Sequence, residues 1–428
     1  MSRSRALIAL ALFVGVWLVY RPATVSQGYN RSDPLLLVPT SMSILYDHDL
    51  ELSEFIADVD PQFHGLLFLD GRPYNRYPIG ASLLILPLVW LNGPPGPGVV
   101  PMDHALFIAG SVAKKLAALS VALLFLLLAT ITDRVGLALA LALLFAFGTP
   151  HYPIHAGGLW THNAVLPLVL VALLLLAVRD GRHAWSAAIP LGLAFITRPT
   201  TAPLIAVLSV YVLVRHRRQA PAYALIGLAI AGIFCGWSQY MFGTLLPPYY
   251  RGFHSPRATI AMGLGRDPSA ALVGNLVSPN RGLFVFVPVF LFSVWGSVHA
   301  FRSSGRHTAL LRALAIVVVA HWVMISSLGS KWWAGWSFGP RNFMDVLPLF
   351  VVLLVPVIDA FGELSARART AVGSVATLAV AWGLFVAVYG ANAMEPHSWN
   401  FQPLDIDQYP QRLWDWHDMQ IMRGTGLQ

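Results

Sequence analysis

Charged residues are scarce in this sequence. Asp, Glu, Lys and Arg make up 11% of its 428 residues, whereas soluble globular proteins carry roughly a quarter. The apolar residues instead fall into runs of about 16 to 25, the length that crosses the hydrocarbon core of a bilayer. The composition therefore excludes an ordinary soluble domain. It predicts an all-α polytopic membrane protein, since an open sheet could not satisfy its backbone in lipid.

Cysteine is nearly absent as well. The single one, Cys235, lies inside an apolar run, which excludes a disulfide framework and a cysteine metal site. His151, His155 and His162 are not set on one helical face at i, i+4, so no metal site is predicted from them. No glycine motif of the phosphate-loop type occurs, which argues against a nucleotide-binding fold. We predict no cofactor; a divalent metal is compatible with the sequence but not indicated by it.

Acidic residues are fewer than basic ones, which gives a net charge of +8. The basic residues lie in short clusters between apolar runs, as positive-inside topology produces, and this argues against nucleic acid as a partner. The clusters predicted to be cytoplasmic are Arg134, Arg179/Arg182, Arg215/Arg217/Arg218, Arg302/Arg306/Arg312 and Arg367/Arg369. With these clusters inside, the loops between about eleven spans alternate consistently between the two sides of the membrane. The spans are 6–22, 105–130, 135–149, 163–178, 185–197, 200–214, 222–241, 283–301, 309–327, 342–360 and 370–390. The protein is thus expected in the plasma (inner) membrane, with its amino terminus cytoplasmic and its carboxyl terminus outside.

The spans divide the chain into a membrane domain, 1–390, and an extracytoplasmic tail, 391–428. The first helix is expected to be retained, because no clean small-x-small cleavage site follows it. Within the first outer loop, 21–104, the segment Tyr77–Leu91 is apolar but short and contains two prolines. Counting it as a crossing would reverse the sidedness of the next basic clusters, so a short re-entrant helix is predicted.

The first outer loop holds two groups of acidic side chains. Asp33 comes first, and Asp47 and Asp49 follow the apolar stretch LLLVPTSMSIL. That stretch suits an amphipathic helix lying along the interface, which would hold both acidic groups near the membrane surface. Alternatively, Asp33 is a helix N-cap and the later carboxylates are solvated loop charges.

Two arginines lie at the ends of apolar stretches. Arg198 interrupts one of them, where a guanidinium is costly unless it pairs with an anion. Phosphate suits it, because the guanidinium offers a fork of donors; the alternative is a structural pair with an acidic residue of the first loop. Arg281 is a further cation at the outer end of a span.

A tryptophan-rich segment lies between Lys331 and Arg341. It contains Trp332, Trp333 and Trp336. Interfacial tryptophan is ordinarily a belt residue. Three of them beside two cations go beyond a belt, since aromatic faces next to cations suit a sugar ring attached to a phosphate.

In their order and common sidedness, these motifs resemble the GT-C superfamily of membrane glycosyltransferases, in its mannosyltransferase-like branch. The resemblance covers nearly the whole chain. It rests on 32–34 with 46–49, on YPIGASLLILP, on TRPT around Arg198, on 278–284, on WWAGWSFGPR and on 412–418 of the tail.

The resemblance implies an inverting transfer from a polyprenyl-phosphate sugar donor, on the outer face, to an acceptor hydroxyl of a glycan, a lipid or a protein. In that family an acidic residue of the first outer loop is the general base. Asp33 matches the first acidic position, and Asp47 or Asp49 the second. Many members have an acidic pair where Asp33 is followed by Pro34, so the choice of base stays open. The expected donor-phosphate ligands are Arg198, Lys331, Arg341 and Arg281, and the expected substrate-binding residues are His162, Tyr77, Trp332, Trp333 and Trp336.

Two other functions stay open. One is a transporter or flippase of a lipid-linked saccharide, which Lys114 and Lys115 favour. Transporters often show paired repeats and ionisable groups near the midplane, whereas this sequence shows no repeat and its polar groups cluster outside. The other is a catalytically inactive relative that acts as an assembly partner.

Overall fold

The computed structural model describes residues 3–23, 32–96, 100–251, 268–328 and 331–426. Residues 24–31 of the first outer loop and 252–267 of a later one lie outside them. The α-helices are α1 (Arg3–Tyr20), α2 (Leu37–Met42), α3 (Gly80–Trp90), α4 (Pro101–Thr132), α5 (Val135–Phe147), α6 (His151–Gly157), α7 (Thr161–Ala177), α8 (Ala188–Thr197), α9 (Ala202–Arg215), α10 (Ala220–Phe242), α11 (Pro248–Arg251), α12 (Pro268–Val277), α13 (Leu283–Phe286), α14 (Leu291–Arg302), α15 (Thr308–Ser326), α16 (Leu347–Val352), α17 (Val355–Phe361), α18 (Ala366–Asn392) and α19 (Glu395–Ser398). The strands found in these described ranges are β1 (Leu66–Leu69) and β2 (Arg72–Asn75).

The protein is an all-α polytopic membrane protein. Within the described residues, 7 helices are long and apolar enough to cross a membrane, or up to 8 if α5 and α6, bent by 58°, form one span. Shorter apolar helices lie at Gly80–Trp90, Ala184–Thr197 and Pro199–Arg215. Every segment that the sequence predicts to cross contains helix, because only helix satisfies the backbone of such runs in lipid.

The long helix α4 lies at the centre of the bundle and packs against α1, α5 and α7. Small and apolar residues along it are fully buried, among them Ala113, Ala118 and Phe125. By contrast, only 11% of an 18-residue apolar stretch of α10 is buried inside the protein. A helix that is apolar and exposed on most sides is stable in a membrane because its side chains face lipid.

The helix of the first loop, α2, differs from the expected amphipathic surface helix. All of its residues are buried, between α3 and α4. The reason is that its only hydroxyls do not need water: the Thr40 hydroxyl donates to the Leu36 carbonyl at 2.6 Å, and that of Ser41 donates to the Ser82 carbonyl at 2.9 Å. A helix that is apolar on all sides is buried rather than interfacial.

A β-hairpin in the first loop was not predicted. Strands β1 and β2 pair antiparallel, and Asp70 and Gly71 between them both have positive φ. Asp-Gly is a preferred pair for the tight turn of a hairpin. The hairpin ends at Asn75, whose amide donates to the Thr40 hydroxyl at 3.1 Å and so fixes the following Tyr77 relative to α2.

Helix α3 corresponds to the predicted re-entrant segment. Its 11 residues extend about 16 Å, roughly half the thickness of the hydrocarbon core. It begins with Gly80 against the end of α8, where an added Cβ would lie 2.6 Å from the Thr197 nitrogen. Only glycine permits this approach, which brings the preceding Tyr77 close to Arg198.

The tail packs against the tryptophan-rich segment instead of standing apart. Trp399, Ile406 and Leu413 form a small core with Trp332 and Trp333. The apolar faces of those two tryptophans are thereby buried against protein.

Candidate functional site

A polar cavity of about 180 Å³ lies where the segments predicted to face outward meet. Its walls come from the first loop, the start of α7, the break between α8 and α9, and the segment that begins at Arg341. Asp33, Arg198 and Arg341 all line it, together with His162 and Tyr77. Five of the residues predicted to act on substrate therefore share one cavity.

Asp33 is held by three side chains. The Tyr77 hydroxyl donates to its Oδ1 at 2.9 Å, and Nε2 of His64 lies 3.0 Å from the same oxygen. Nη2 of Arg341 lies 3.5 Å from Oδ2. Partial burial by itself raises the pKa of Asp33, but the hydrogen bond from His64 and the charge of Arg341 outweigh it and hold that pKa well below its ordinary 3.8. Asp33 is therefore ionised at neutral pH, while its side chain keeps 41% exposure.

Tyr77 is fixed as a hydrogen-bond donor. Burial and the neighbouring Asp33 carboxylate raise the pKa of the Tyr77 hydroxyl far above its ordinary 10.0. Its ring lies 5.3 Å from that of Tyr249. The two tyrosines form an aromatic wall beside the carboxylate.

The guanidinium of Arg341 lies over an aromatic ring. It is 4.0 Å from the centre of the Trp160 ring, a distance at which a cation is attracted to the ring face. Its Nη2 donates to the Ala334 carbonyl at 2.6 Å. The guanidinium is thus oriented before any ligand arrives.

A buried carboxylate, Asp345, holds three of the other residues that line the cavity. Asp345 is 1% exposed, and its Oδ1 lies 2.7 Å from Nδ1 of His162. Its Oδ2 accepts from Nε of Arg198 at 2.8 Å and from the Thr200 hydroxyl at 3.0 Å. Arg198 also donates through Nη1 to Thr161 at 3.0 Å. Arg198 is therefore ion-paired, with Asp345 rather than with an acidic residue of the first loop.

Asp345 is not among the site residues predicted from the sequence, because it lies inside an apolar run that predicts only a membrane span. A signal was present: a carboxylate within such a run is costly unless a cation compensates it. Arg198, a cation at the end of an apolar stretch, needs a compensating anion for the same reason. His64 and Trp160 were also missed, since neither belongs to a motif.

The other predicted carboxylates lie elsewhere. Asp47 and Asp49 are exposed and do not line the cavity. Oδ1 of Asp49 accepts from the Ser43 hydroxyl at 2.8 Å and from the Glu51 amide at 3.0 Å, so Asp49 closes a turn of the loop. Asp33 is the acidic residue of this loop that the fold brings to the cavity.

Two predicted cations also lie outside the cavity. Lys331 is 63% exposed and pairs with Asp407 of the tail at 2.8 Å. Arg281 is 1% exposed and donates to main-chain carbonyls and tail amides. Neither lines the cavity.

The three tryptophans contact the tail instead of the cavity. Trp332 and Trp333 are buried, and the Trp333 indole donates to Asp407 at 2.9 Å. Trp336 is 44% exposed, with its indole 3.3 Å from Asp405. Trp160 is the tryptophan that lines the cavity.

Metal ligands do not cluster in the described part of the chain, where no group of three or more suitable side chains occurs. His151 and His155, four residues apart, lie one turn apart on α6, so the expectation that these histidines do not share a helical face is wrong for this pair. Their Nδ1 atoms are 2.7 Å apart, so the two rings share a hydrogen bond.

Chemically, the cavity combines an ionised carboxylate with two guanidiniums. Such a set can take a proton from a hydroxyl and hold an anionic group such as phosphate. A scan against models of known protein families gives no match to this chain, and a search of curated proteins finds no similar sequence.

Proposed function

We propose that the protein is a glycosyltransferase that moves a sugar from a polyprenyl-phosphate donor to an acceptor hydroxyl on the extracytoplasmic face. The observation that supports this most is the presence of Asp33, Arg198 and Arg341 in one polar cavity. A general base and two anion-binding groups are what transfer from a lipid phosphate requires. The activated sugar arrives on lipid, so no nucleotide site is needed.

In the proposed reaction the acceptor oxygen bonds to the anomeric carbon while its proton passes to Asp33. The bond between that carbon and the phosphate oxygen breaks, and polyprenyl phosphate leaves with the electron pair. Attack opposite the leaving group inverts the configuration. Since Oδ1 of Asp33 already accepts two hydrogen bonds, Oδ2 is the oxygen that takes the proton.

The cations act on the departing phosphate. Arg341, preoriented on Trp160, and Arg198, held by Asp345, stabilise the charge that develops there. A bound phosphate also attracts Arg341 away from Asp33 and adds negative charge near it. Both effects raise the pKa of Asp33 and make its carboxylate a stronger base. The substrate thus activates its own base.

The roles of two other residues follow from their contacts. Tyr77 orients Asp33, and His162 orients Asp345. Both are positioning residues in this proposal.

Arg341→Gln tests the donor site. A charge-assisted hydrogen bond contributes about 1.5–3 kcal/mol, so the variant is expected to bind a short-chain polyprenyl phosphate about 10 to 100 times more weakly. Isothermal titration in detergent measures this. Lys331→Gln is the matched control, because Lys331 is exposed and bound to the tail, and it should bind like wild type. Equal weakening by both variants, or by neither, contradicts the assignment.

His64→Asn tests the electrostatics of the base. His64 helps to lower the pKa of Asp33, so its removal raises that pKa toward 3.8. Because the ionised carboxylate is the base and is lost as pH falls through its pKa, the acid limb of kcat/KM should move to higher pH. Ionised Asp33 also stabilises the folded protein at pH values above the pKa that it has in the unfolded chain. This contribution is lost as the pH falls through the lower pKa of the folded state.

The control for this profile is His48→Asn. His48 lies in the same loop, is exposed and has a positive φ that asparagine tolerates. Its acid limb should match that of wild type. An acid limb that stays in place in His64→Asn would show that His64 does not tune the base.

A further inference from the structure

The backbone that carries Arg341 has an unusual conformation. We call residues 331–341 the aromatic loop. Ala334, Gly335 and Gly339 in it all have positive φ, and for alanine this is strained. The Ala334 carbonyl accepts the hydrogen bond from Arg341 Nη2, so this conformation sets the direction of the guanidinium. Strained backbone of this kind persists only where the surroundings fix it.

Arg281 fixes the first half of the aromatic loop. It donates to the Trp333 carbonyl at 3.0 Å and to the Gly335 carbonyl at 3.2 Å, on either side of Ala334. It also donates to the tail, to Oε1 of Gln420 at 2.8 Å and to Oδ1 of Asn400 at 2.7 Å. A fully buried guanidinium thereby joins the loop to the tail.

The two tail amides fix the second half of the loop. Oε1 of Gln420 accepts from the Gly339 amide at 3.0 Å, and its Nε2 donates to the Ser337 carbonyl at 2.9 Å. Oδ1 of Asn400 accepts from the Ser337 amide at 3.2 Å. Each amide therefore bonds both to Arg281 and to loop backbone just before Arg341.

The second half of the loop also packs closely against α13. A Cβ on Gly339 would lie 2.6 Å from the Phe286 ring of α13. Gly339 therefore contacts both α13 and the tail.

We infer that Arg281, Gln420 and Asn400 form a clamp that positions Arg341 in the cavity. This assigns to Arg281 a positioning role in place of direct contact with phosphate. The tail thereby helps to build the site, although none of its described residues, 391–426, lines the cavity. The inference rests on the proposed function only for the role of Arg341 toward phosphate; the positioning of the loop stands apart from it.

The test compares Gln420→Ala with wild type in the full-length protein, by two measurements. Hydrogen exchange of the Ser337 and Gly339 amides should become at least about tenfold faster, since the hydrogen bond to Gly339 is lost and the loop is released. Binding of a short-chain polyprenyl phosphate should weaken about tenfold, the loss of one ordinary hydrogen bond. In the Arg341→Gln background the same change should weaken binding little further, because residues that act through one another are not additive.

Two further variants make the result decisive. Asn400→Ala removes the acceptor of the Ser337 amide and one bond to Arg281, and should act in the same direction if Gln420→Ala does not fold. Asp418→Asn, which loosens the tail at Arg412 and Arg423 without touching the loop, should leave both readouts unchanged.

The outcomes separate the clamp from the proposed function. Unchanged exchange of the loop amides in Gln420→Ala, or in Asn400→Ala if the first variant does not fold, overturns the clamp. Additive weakening by Gln420→Ala and Arg341→Gln shows that Gln420 does not act through Arg341, and this also overturns it. If wild-type protein binds no polyprenyl phosphate, the proposed function fails, and hydrogen exchange alone then decides whether the clamp exists.

Discussion

Asp33→Asn is expected to lower the turnover of sugar transfer by about a hundredfold to ten-thousandfold, the usual contribution of a positioned base. The amide keeps the size of the side chain and accepts through one oxygen, but it cannot take a proton from the acceptor at neutral pH. Donor binding should stay near wild type, because Arg198 and Arg341 are both retained. Transfer from a polyprenyl-phosphate sugar to the acceptor, followed at saturating donor, measures the loss.

Asp47→Asn is the matched control for that variant. Asp47 is an acidic residue of the same loop, but it is exposed and lies outside the cavity. Its substitution should leave turnover unchanged. Full turnover in Asp33→Asn together with a loss in Asp47→Asn would move the base to Asp47. Normal turnover in both, and in Asp49→Asn, would refute a mechanism with a single carboxylate base.

Asp345→Asn is expected to destabilise the folded protein by about 3–5 kcal/mol, because breaking a buried ion pair leaves an uncompensated charge. The charge left behind is that of Arg198, which bonds to Asp345 through Nε. His162 loses the same carboxylate partner. The fall in the thermal midpoint of detergent-solubilised protein measures the effect, with activity lost in parallel since Arg198 is no longer held.

The control for Asp345 lies further along the same apolar run. Asp359 pairs with Arg134 at 2.9 Å, but its side chain is 52% exposed, so Asp359→Asn should change stability by about 0–1 kcal/mol. The double variant Asp345→Asn with Arg198→Gln should be more stable than the sum of the single losses predicts, since it removes both charges. A midpoint in Asp345→Asn equal to that of Asp359→Asn would show that the buried pair does not stabilise the fold.

The sequence by itself determined that this protein is a helical membrane protein and where its apolar helices lie. Run length and charge scarcity are properties of local sequence, and lipid leaves helix as the only solution for such runs. The sequence also singled out Asp33, Arg198 and Arg341, because each places a charge where a membrane segment makes it costly or exposes it on the predicted outer side. All three line the cavity.

Only the tertiary structure decided which of the charged and aromatic residues act together. Local patterns show that a buried charge needs a partner, but a partner such as Asp345, 147 positions from Arg198, is chosen by helix packing. Packing likewise buried α2 on all sides. It also places Lys331, Arg281 and the three tryptophans against the tail. No local sequence pattern predicts the contacts between the tail and the aromatic loop. Pairings of this kind depend on distances between segments far apart in the chain, and those distances are fixed only when the helices and loops pack.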